Sequence, residues 1–182
     1  MSEIETPRHR NVTPGAAREQ AAWATDHRYA VVLATPWPNV MLGVNVHGDA
    51  VTSIDFLAGN LTPYSARTEI ASEVVGQLQA YFRDPHYHFT LPLEPAGTLF
   101  QCRVWDVLRR IPPGKTRSYG ALAQQLGSGP RAIGGACRAN PIPVVIPCHR
   151  VVAVQGMGGF MGMTRGRGLQ LKQRLLAHER PS

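Results

Sequence analysis

A cysteine and a histidine stand side by side in the second half of the 182-residue chain, at Cys148 and His149 in the stretch V-I-P-C-H-R-V. A cysteine becomes a nucleophile when its thiolate is stabilised, and an imidazole can accept the thiol proton or stabilise the charge. In an extended chain, however, the side chains of neighbouring residues point in opposite directions. A free cysteine is also commonly a buried packing residue. The pair alone therefore leaves a nucleophile and a structural thiol both open.

The other two cysteines, Cys102 and Cys137, have no neighbouring base, and we interpret both as packing residues. Three cysteines cannot all pair, and none has the C-x-x-C spacing of a zinc or redox site. The first 95 residues contain no cysteine, and His86 and His88 lack further ligands nearby in sequence. We therefore expect neither a metal nor a cofactor.

Free thiols are typical of a reducing compartment. The sequence also contains no apolar run near 18 residues, and its first residues lack the apolar stretch of a secretory signal. These features predict a cytoplasmic protein with no membrane partner.

The formal net charge is +7, and the positive charge is concentrated in the second half. Eight lysines and arginines lie between Arg103 and Arg150, against the single acid Asp106. Such an excess favours a polyanion such as nucleic acid as the partner. A solvated basic surface that maintains solubility is the alternative.

The first half reads as α/β. Three runs rich in β-branched residues, separated by turn residues, predict an antiparallel meander over 28–35, 40–46 and 50–57. Apolar residues at helical spacing predict a helix over 68–82. Three prolines mark 84–98 as a linker, and residues 1–27 read as an irregular arm with one short helix.

The second half reads as mostly helical, with predicted helices over 100–110, 118–127 and 130–140 and a closing helix that carries Lys172 and Glu179. Two short helices around a tight glycine-containing turn, as in 118–140, have the outline of a helix-turn-helix. Around Cys148 we expect a short buried strand on either side of the thiol.

Five motifs in series give this half a specific resemblance. They are F-Q-C-R-V-W, I-P-P-G-K-T-R-S-Y-G-A-L-A, R-A-I-G-G-A-C-R-A-N-P-I-P, I-P-C-H-R-V and K-Q-R-L-L-A-H-E. In this order and spacing they resemble the O6-alkylguanine-DNA alkyltransferase (methylated-DNA–protein-cysteine methyltransferase) family over residues 98–180. The resemblance implies a small ribonuclease-H-like α/β domain at residues 1–95. It also implies a mostly α domain with a helix-turn-helix at residues 96–182, which binds DNA and holds the active site.

The resemblance also implies a chemistry. An alkyl group moves irreversibly from O6 of guanine to Cys148, whose thiolate requires a lowered pKa at neutral pH. His149 takes the thiol proton through a water, and Glu179 orients the imidazole. Tyr119 protonates the leaving guanine, and Asn140 is a hinge between the recognition helix and the active-site loop.

The expected partner is double-stranded DNA containing O6-alkylguanine, bound by a monomer, with cooperative binding along DNA left open. The reactive atom lies inside a base pair, so the nucleotide must flip out of the helix. The resemblance makes Arg131 the residue that fills the vacated stack, with Ala132 close to the backbone in the minor groove and with Arg138 and Ser118 as further DNA contacts. Close helix packing is the alternative role for the small residues of this helix.

Two features depart from the family pattern. Phe160 and Met161 stand where the family has a tyrosine followed by a small residue, and the loop after them is longer than usual. We place both, with Val151, in the substrate pocket, where the apolar wall is kept and a hydroxyl is lost. The range of accepted adducts is therefore open.

Two other functions remain as alternatives. An alkyltransferase-like protein that binds lesions without transfer would have its cysteine replaced, so Cys148 argues against it. A helix-turn-helix regulator with a structural or redox thiol is disfavoured by the order of the motifs.

Overall fold

A computed structural model describes residues 28–180 of the chain, and the predicted arm over 1–27 lies outside the described residues. The described part begins with an antiparallel sheet of four strands in the order β3-β2-β1-β4. Their bounds are β1 Val31–Ala34, β2 Val40–His47, β3 Ala50–Ala58 and β4 Tyr64–Ser65. The three predicted strands and their meander are confirmed.

A helix α1, Glu69–Arg83, follows the sheet. Thr68 caps it, because its side-chain oxygen accepts a hydrogen bond from the backbone N–H of Ala71 at 3.3 Å. The helix buries the face that carries Ile70, Val74, Leu78 and Tyr81. These residues are the apolar series that predicted the helix.

Up to residue 180, the second half contains four α-helices, one 3₁₀ turn and one short parallel strand pair. The bounds are α2 Leu99–Leu108, β5 Arg117–Ser118, α3 Tyr119–Gln125, α4 Pro130–Arg138, β6 Val151–Val152 and α5 Arg167–His178. A capping box formed by Thr98 and Gln101 starts α2, and Pro130 starts α4. The indole N–H of Trp105 donates to the carbonyl oxygen of Ala136 at 2.9 Å, which fixes α4 against α2.

The chain around Cys148 differs from the prediction. A strand follows the thiol at Val151–Val152, but turns precede it, and Cys148–Arg150 is a single 3₁₀ turn. Val144 has a φ of 77°, in the left-handed region that no strand residue adopts. The prediction of a strand before the thiol is therefore wrong, because the backbone forms turns there and Cys148 is buried.

Buried apolar residues form one continuous cluster that includes Val31 in the sheet and Leu175 in α5. The sheet also contacts the second half directly, since the backbone N–H of Ile54 donates to the carbonyl oxygen of Pro141 at 2.8 Å. The α/β character of the chain is confirmed. The boundary at residue 95, the ribonuclease-H-like topology and the helix-turn-helix interpretation of α3 and α4 stay predictions.

Candidate active site

A cavity of about 370 Å³ opens beside Cys148. Its wall contains Tyr119 from the start of α3, residues of α4 that include Arg131 and Arg138, and the loop segment 159–164. Cys148 is buried, with 4% of its surface exposed, and it lines this cavity. The structure thus brings the thiol, the tyrosine and the basic helix to one place.

The Cys148 sulfur is surrounded by groups with opposing effects. Burial raises the pKa of the thiol, while a hydrogen bond from Asn140, the positive charge of Lys172 and nearby backbone N–H groups lower it. Together these effects raise the pKa of Cys148. Because desolvation outweighs the stabilising groups, the thiol is protonated at neutral pH and must lose its proton during the reaction.

Asn140 connects the end of α4 to the thiol loop. Its side-chain amide donates to the carbonyl oxygen of Ile146 at 2.8 Å and to Cys148 Sγ at 3.1 Å. Its carbonyl oxygen accepts from the backbone N–H of Ile142 at 3.0 Å. One side chain therefore fixes the turn and also faces the reactive atom.

His149 and Glu179 form a fully buried pair, with His149 Nε2 at 2.8 Å from Glu179 Oε1. Burial lowers the pKa of His149, and Glu179 opposes this effect without cancelling it, so the imidazole is neutral at neutral pH. An ionised carboxylate only accepts hydrogen bonds, so Nε2 carries the proton and Nδ1 carries the lone pair. Nδ1 is buried and has no hydrogen-bond partner within residues 28–180, as suits a proton acceptor.

Two further residues hold Glu179, and the sequence prediction missed both. Arg150 donates to both carboxylate oxygens, at 2.9 Å from Nε and 2.8 Å from Nη2, and also to the carbonyl oxygen of Ile111. The hydroxyl of Tyr81 donates to Glu179 Oε1 at 2.8 Å. Burial alone would raise the pKa of Glu179, but the hydrogen bonds from His149 and Arg150 and the positive charge of Arg150 hold it well below its usual range.

Tyr119 is positioned by the parallel pair of β5 and β6, in which Ser118 lies opposite Val152. Its hydroxyl donates to the carbonyl oxygen of Gly159 at 3.3 Å. Burial raises its pKa to about 12, so the hydroxyl remains a proton donor at neutral pH. Gly158, with a φ of 68°, leaves room for the ring, because a Cβ there would lie 2.8 Å from a ring carbon.

Lys172 is a third residue that the prediction did not place in the site. It is fully buried, and its ammonium group donates to the carbonyl oxygens of Val151 and Gly159, the latter at 3.0 Å. Burial lowers its pKa to about 8, and the nearby thiols favour the charged form. Its place among the apolar residues of the closing helix was the available sequence signal.

The predicted DNA-contacting residues lie mostly on α4. Arg131, Ala132 and Arg138 are exposed, and both arginines line the cavity. A Cβ added at Gly134 or Gly135 would have no heavy atom within 4 Å, so close packing does not explain these two glycines. Ser118 lies apart from this helix and caps α3, since its oxygen accepts from the backbone N–H of Ala121 at 3.1 Å.

Two of the three residues predicted to form the substrate pocket line the cavity, and the third does not. Phe160 and Met161 line the cavity, and Phe160 meets Phe56 of the sheet edge-to-face at a centroid distance of 6.0 Å. Val151 is fully buried in β6 and does not line the cavity, so its assignment to the pocket is wrong. Cys137, interpreted as packing, is buried but forms part of the cavity wall.

Within residues 28–180, no group of three or more metal-ligating side chains is close enough to hold a metal ion. In the same range, no helix is long and apolar enough to cross a bilayer.

Comparison with known proteins decides the family. Residues 99–181 match the family model described as "6-O-methylguanine DNA methyltransferase, DNA binding domain". The methylated-DNA–protein-cysteine methyltransferase of Mycobacterium leprae is 38% identical over 140 residues, which cover 74% of this chain and 82% of that protein. The chain belongs to the methylated-DNA–protein-cysteine methyltransferase family.

Other members extend the match. The Archaeoglobus fulgidus methyltransferase is 32% identical over 149 residues, 81% of this chain and 98% of that protein. The crystal structure of Mycobacterium tuberculosis O6-methylguanine methyltransferase has a TM-score of 0.66 and 35% identity, and covers 81% of this chain and 90% of that chain. The same Mycobacterium tuberculosis protein in complex with DNA also gives a TM-score of 0.66 and 35% identity, over 82% and 90% of the two chains. The predicted resemblance to this methyltransferase family is confirmed.

Proposed function

We propose that this chain repairs double-stranded DNA by moving an alkyl group, such as methyl, from O6 of guanine to its own Cys148. The observation that carries the proposal is the position of the thiol. Cys148 lines a cavity together with Tyr119 and residues of the basic helix α4, and the next residue in the chain, His149, is buried and bonded to Glu179. Each chain acts once, because the thioether product retains the alkyl group. No cofactor is needed, because Cys148 itself accepts the group.

The first step generates the nucleophile. The Cys148 proton passes through a water to Nδ1 of His149, the nitrogen left free by the bond between Nε2 and Glu179. The resulting thiolate accepts a hydrogen bond from Asn140 and lies near the ammonium group of Lys172. Both groups favour the sulfur anion at the moment of attack.

The second step transfers the alkyl group. The sulfur forms a bond to the alkyl carbon as the bond between that carbon and O6 breaks, and the electron pair of the broken bond passes to guanine. The Tyr119 hydroxyl donates a proton to the departing base in place of its bond to the carbonyl oxygen of Gly159. The imidazolium of His149 then releases its proton and Tyr119 regains one, so the net change is a thiol exchanged for a thioether.

The DNA reaches the cavity along α4. We propose that α3 and α4 act as a helix-turn-helix, with α4 in the minor groove and Arg131 in place of the flipped nucleotide. The open space at Gly134 and Gly135 supports a close approach of the sugar–phosphate backbone. Arg138 and Ala132 are exposed on the same helix, and Ser118 is the weakest of the proposed contacts because its oxygen already caps α3.

The finer architecture belongs to the same proposal. Residues 1–95 form a ribonuclease-H-like α/β domain, residues 96–182 form the DNA-binding and catalytic domain, and the protein binds DNA as a monomer. The lesion-binding alternative and the regulator alternative both leave unexplained why a cavity-lining thiol is followed in the chain by a buried histidine bonded to a carboxylate.

Intact mass tests the proposed function. The protein is incubated with a duplex oligonucleotide containing O6-methylguanine, and we expect a gain of one methyl group per chain, absent in Cys148→Ala. An unchanged mass of the unsubstituted protein together with tight binding would refute transfer and favour lesion binding.

A further inference from the structure

The Glu179 carboxylate is the point at which the two halves of the chain meet in the active site. Its Oε1 accepts hydrogen bonds from Tyr81 at 2.8 Å, from His149 at 2.8 Å and from Arg150 at 2.8 Å. Tyr81 is the one of these donors that comes from the first half, 98 residues away in sequence. A second bond fixes the same contact, because Nε2 of His178 lies 2.9 Å from the carbonyl oxygen of Tyr81.

We propose that Tyr81 is a positioning residue. Through it, helix α1 holds Glu179 against His149 and sets the pH above which His149 can accept the thiol proton. This inference rests on the proposed function. It assigns a chemical role to the first half of the chain, which otherwise serves as a scaffold. Tyr81 does not touch the substrate or the sulfur, so its effect must act through Glu179.

The physical reason is competition for one oxygen. A donor on a carboxylate oxygen stabilises the negative charge and weakens the field that this charge exerts on its other partners. Without the Tyr81 hydroxyl, more of the Glu179 charge acts on His149, which favours the imidazolium. A protonated imidazole cannot accept the thiol proton, so the reaction would fail at a higher pH than in the intact protein.

The neighbouring charged groups influence the protonation of His149, and Tyr81 stays protonated beside them. Glu179 from the end of α5, Arg150 and Lys172 act on the charge of His149, and the Cys148 thiol is its neighbour in the chain. Tyr81 from α1 acts on Glu179. Glu179 favours the imidazolium, whereas Arg150 and Lys172 disfavour it. Burial raises the pKa of Tyr81 well above its usual value, and Glu179 adds to this shift, so the hydroxyl donates throughout the working range.

A packing role alone would not require the hydroxyl. The Tyr81 ring is fully buried and contacts the rings of Phe89 at 5.4 Å and His178 at 5.2 Å between centroids. Phenylalanine would keep these ring contacts and lose only the bond to Glu179. The substitution therefore separates the hydrogen bond from the packing.

The experiment measures single-turnover methyl transfer from duplex O6-methylguanine between pH 5 and pH 9 for the full chain and for Tyr81→Phe. We expect the acidic fall in rate to move up by about 0.5 to 1 pH unit, which is a three- to tenfold loss on the acidic side and little loss at pH 8 to 9. Tyr87→Phe is the matched control, because Tyr87 is half-buried, packs on Phe89 and has no described hydroxyl bond. Its profile should match that of the unsubstituted protein.

A second variant has the opposite sign. 3-Fluorotyrosine incorporated at position 81 is a stronger donor, and it should move the acidic fall to lower pH. Profiles that superimpose for all variants, or an equal loss at every pH in Tyr81→Phe, would overturn the proposal. Failure of the proposed function is distinguishable, because the unsubstituted protein would then gain no methyl group at any pH.

Discussion

Replacing Asn140 by aspartate tests whether this side chain stabilises the attacking sulfur. Asparagine and aspartate have nearly the same shape, so Asn140→Asp keeps an oxygen for the backbone N–H of Ile142, now 3.0 Å away. The change removes the amide N–H groups that lie 3.1 Å from Cys148 Sγ and 2.8 Å from the carbonyl oxygen of Ile146. It also puts a negative charge beside the atom that must become an anion.

The magnitude follows from the lost bond. A hydrogen bond to a charged group contributes about 1.5–3 kcal/mol. The Cys148 sulfur carries a full negative charge only when the thiolate forms, so this contribution applies to the attacking state. Loss of that much transition-state stabilisation slows transfer roughly 10- to 150-fold, and like-charge repulsion adds to the effect. We expect the loss relative to the unsubstituted protein to become smaller at acidic pH, where a protonated aspartate can donate again.

Single-turnover transfer measured by intact mass gives the rate, and thermal unfolding of the same sample shows whether the fold is retained. Asn140→Ala is the companion variant, since it also loses the acceptor for Ile142 and introduces no charge. A folded aspartate variant that reacts within about threefold of the unsubstituted protein would show that Asn140 only shapes the turn.

Two more predictions concern buried charges. Lys172→Met should slow transfer at neutral pH and move the rise in rate to higher pH, because the thiolate loses a nearby cation. Lys172→Gln keeps a donor for the carbonyl oxygens of Val151 and Gly159. A transfer rate in Lys172→Gln equal to that of the unsubstituted protein would show that the charge is unimportant. Glu179 has a folded-state pKa below its unfolded value of about 4.3, so it adds stability above that pH, and this stability is lost as pH falls. Urea unfolding of Glu179→Gln should therefore show a loss of about 3–5 kcal/mol at pH 7, because Arg150 is left buried without a counter-ion, and a smaller loss at pH 3. A constant difference from pH 7 to pH 3 would contradict this.

The sequence predicted the elements well where the pattern is local. The meander follows from runs of β-branched residues between turn residues, and helix α1 follows from helical apolar spacing, both of which the chain displays within short windows. The turn before Cys148 escaped prediction because a valine-rich, apolar run has the composition of a strand. The positive φ of Val144 and the hydrogen bond from the backbone N–H of Ile146 to the carbonyl oxygen of Ile142 show that the backbone turns there.

The site was predictable where a motif carries it and not where a tertiary contact does. Tyr81 read as an apolar helix residue because its partner Glu179 lies 98 positions away. Val151 was misplaced because neighbours in sequence need not share a cavity, and the side chain of a strand residue can face the core. The raised thiol pKa was missed because burial cannot be measured from residue types.

The pairing of β5 with β6 fixes the reaction centre independently of the loop that borders the cavity. Arg117 lies opposite Val151 and Ser118 opposite Val152, so the distance from the tyrosine to the thiol is fixed by backbone contacts upstream of the loop. The segment from 153 to 166 leaves this pair, folds back where Phe160 and Met163 bond to each other, and returns to α5. Insertions there would change the size of the cavity opening, while Tyr119 and Cys148 would keep their spacing.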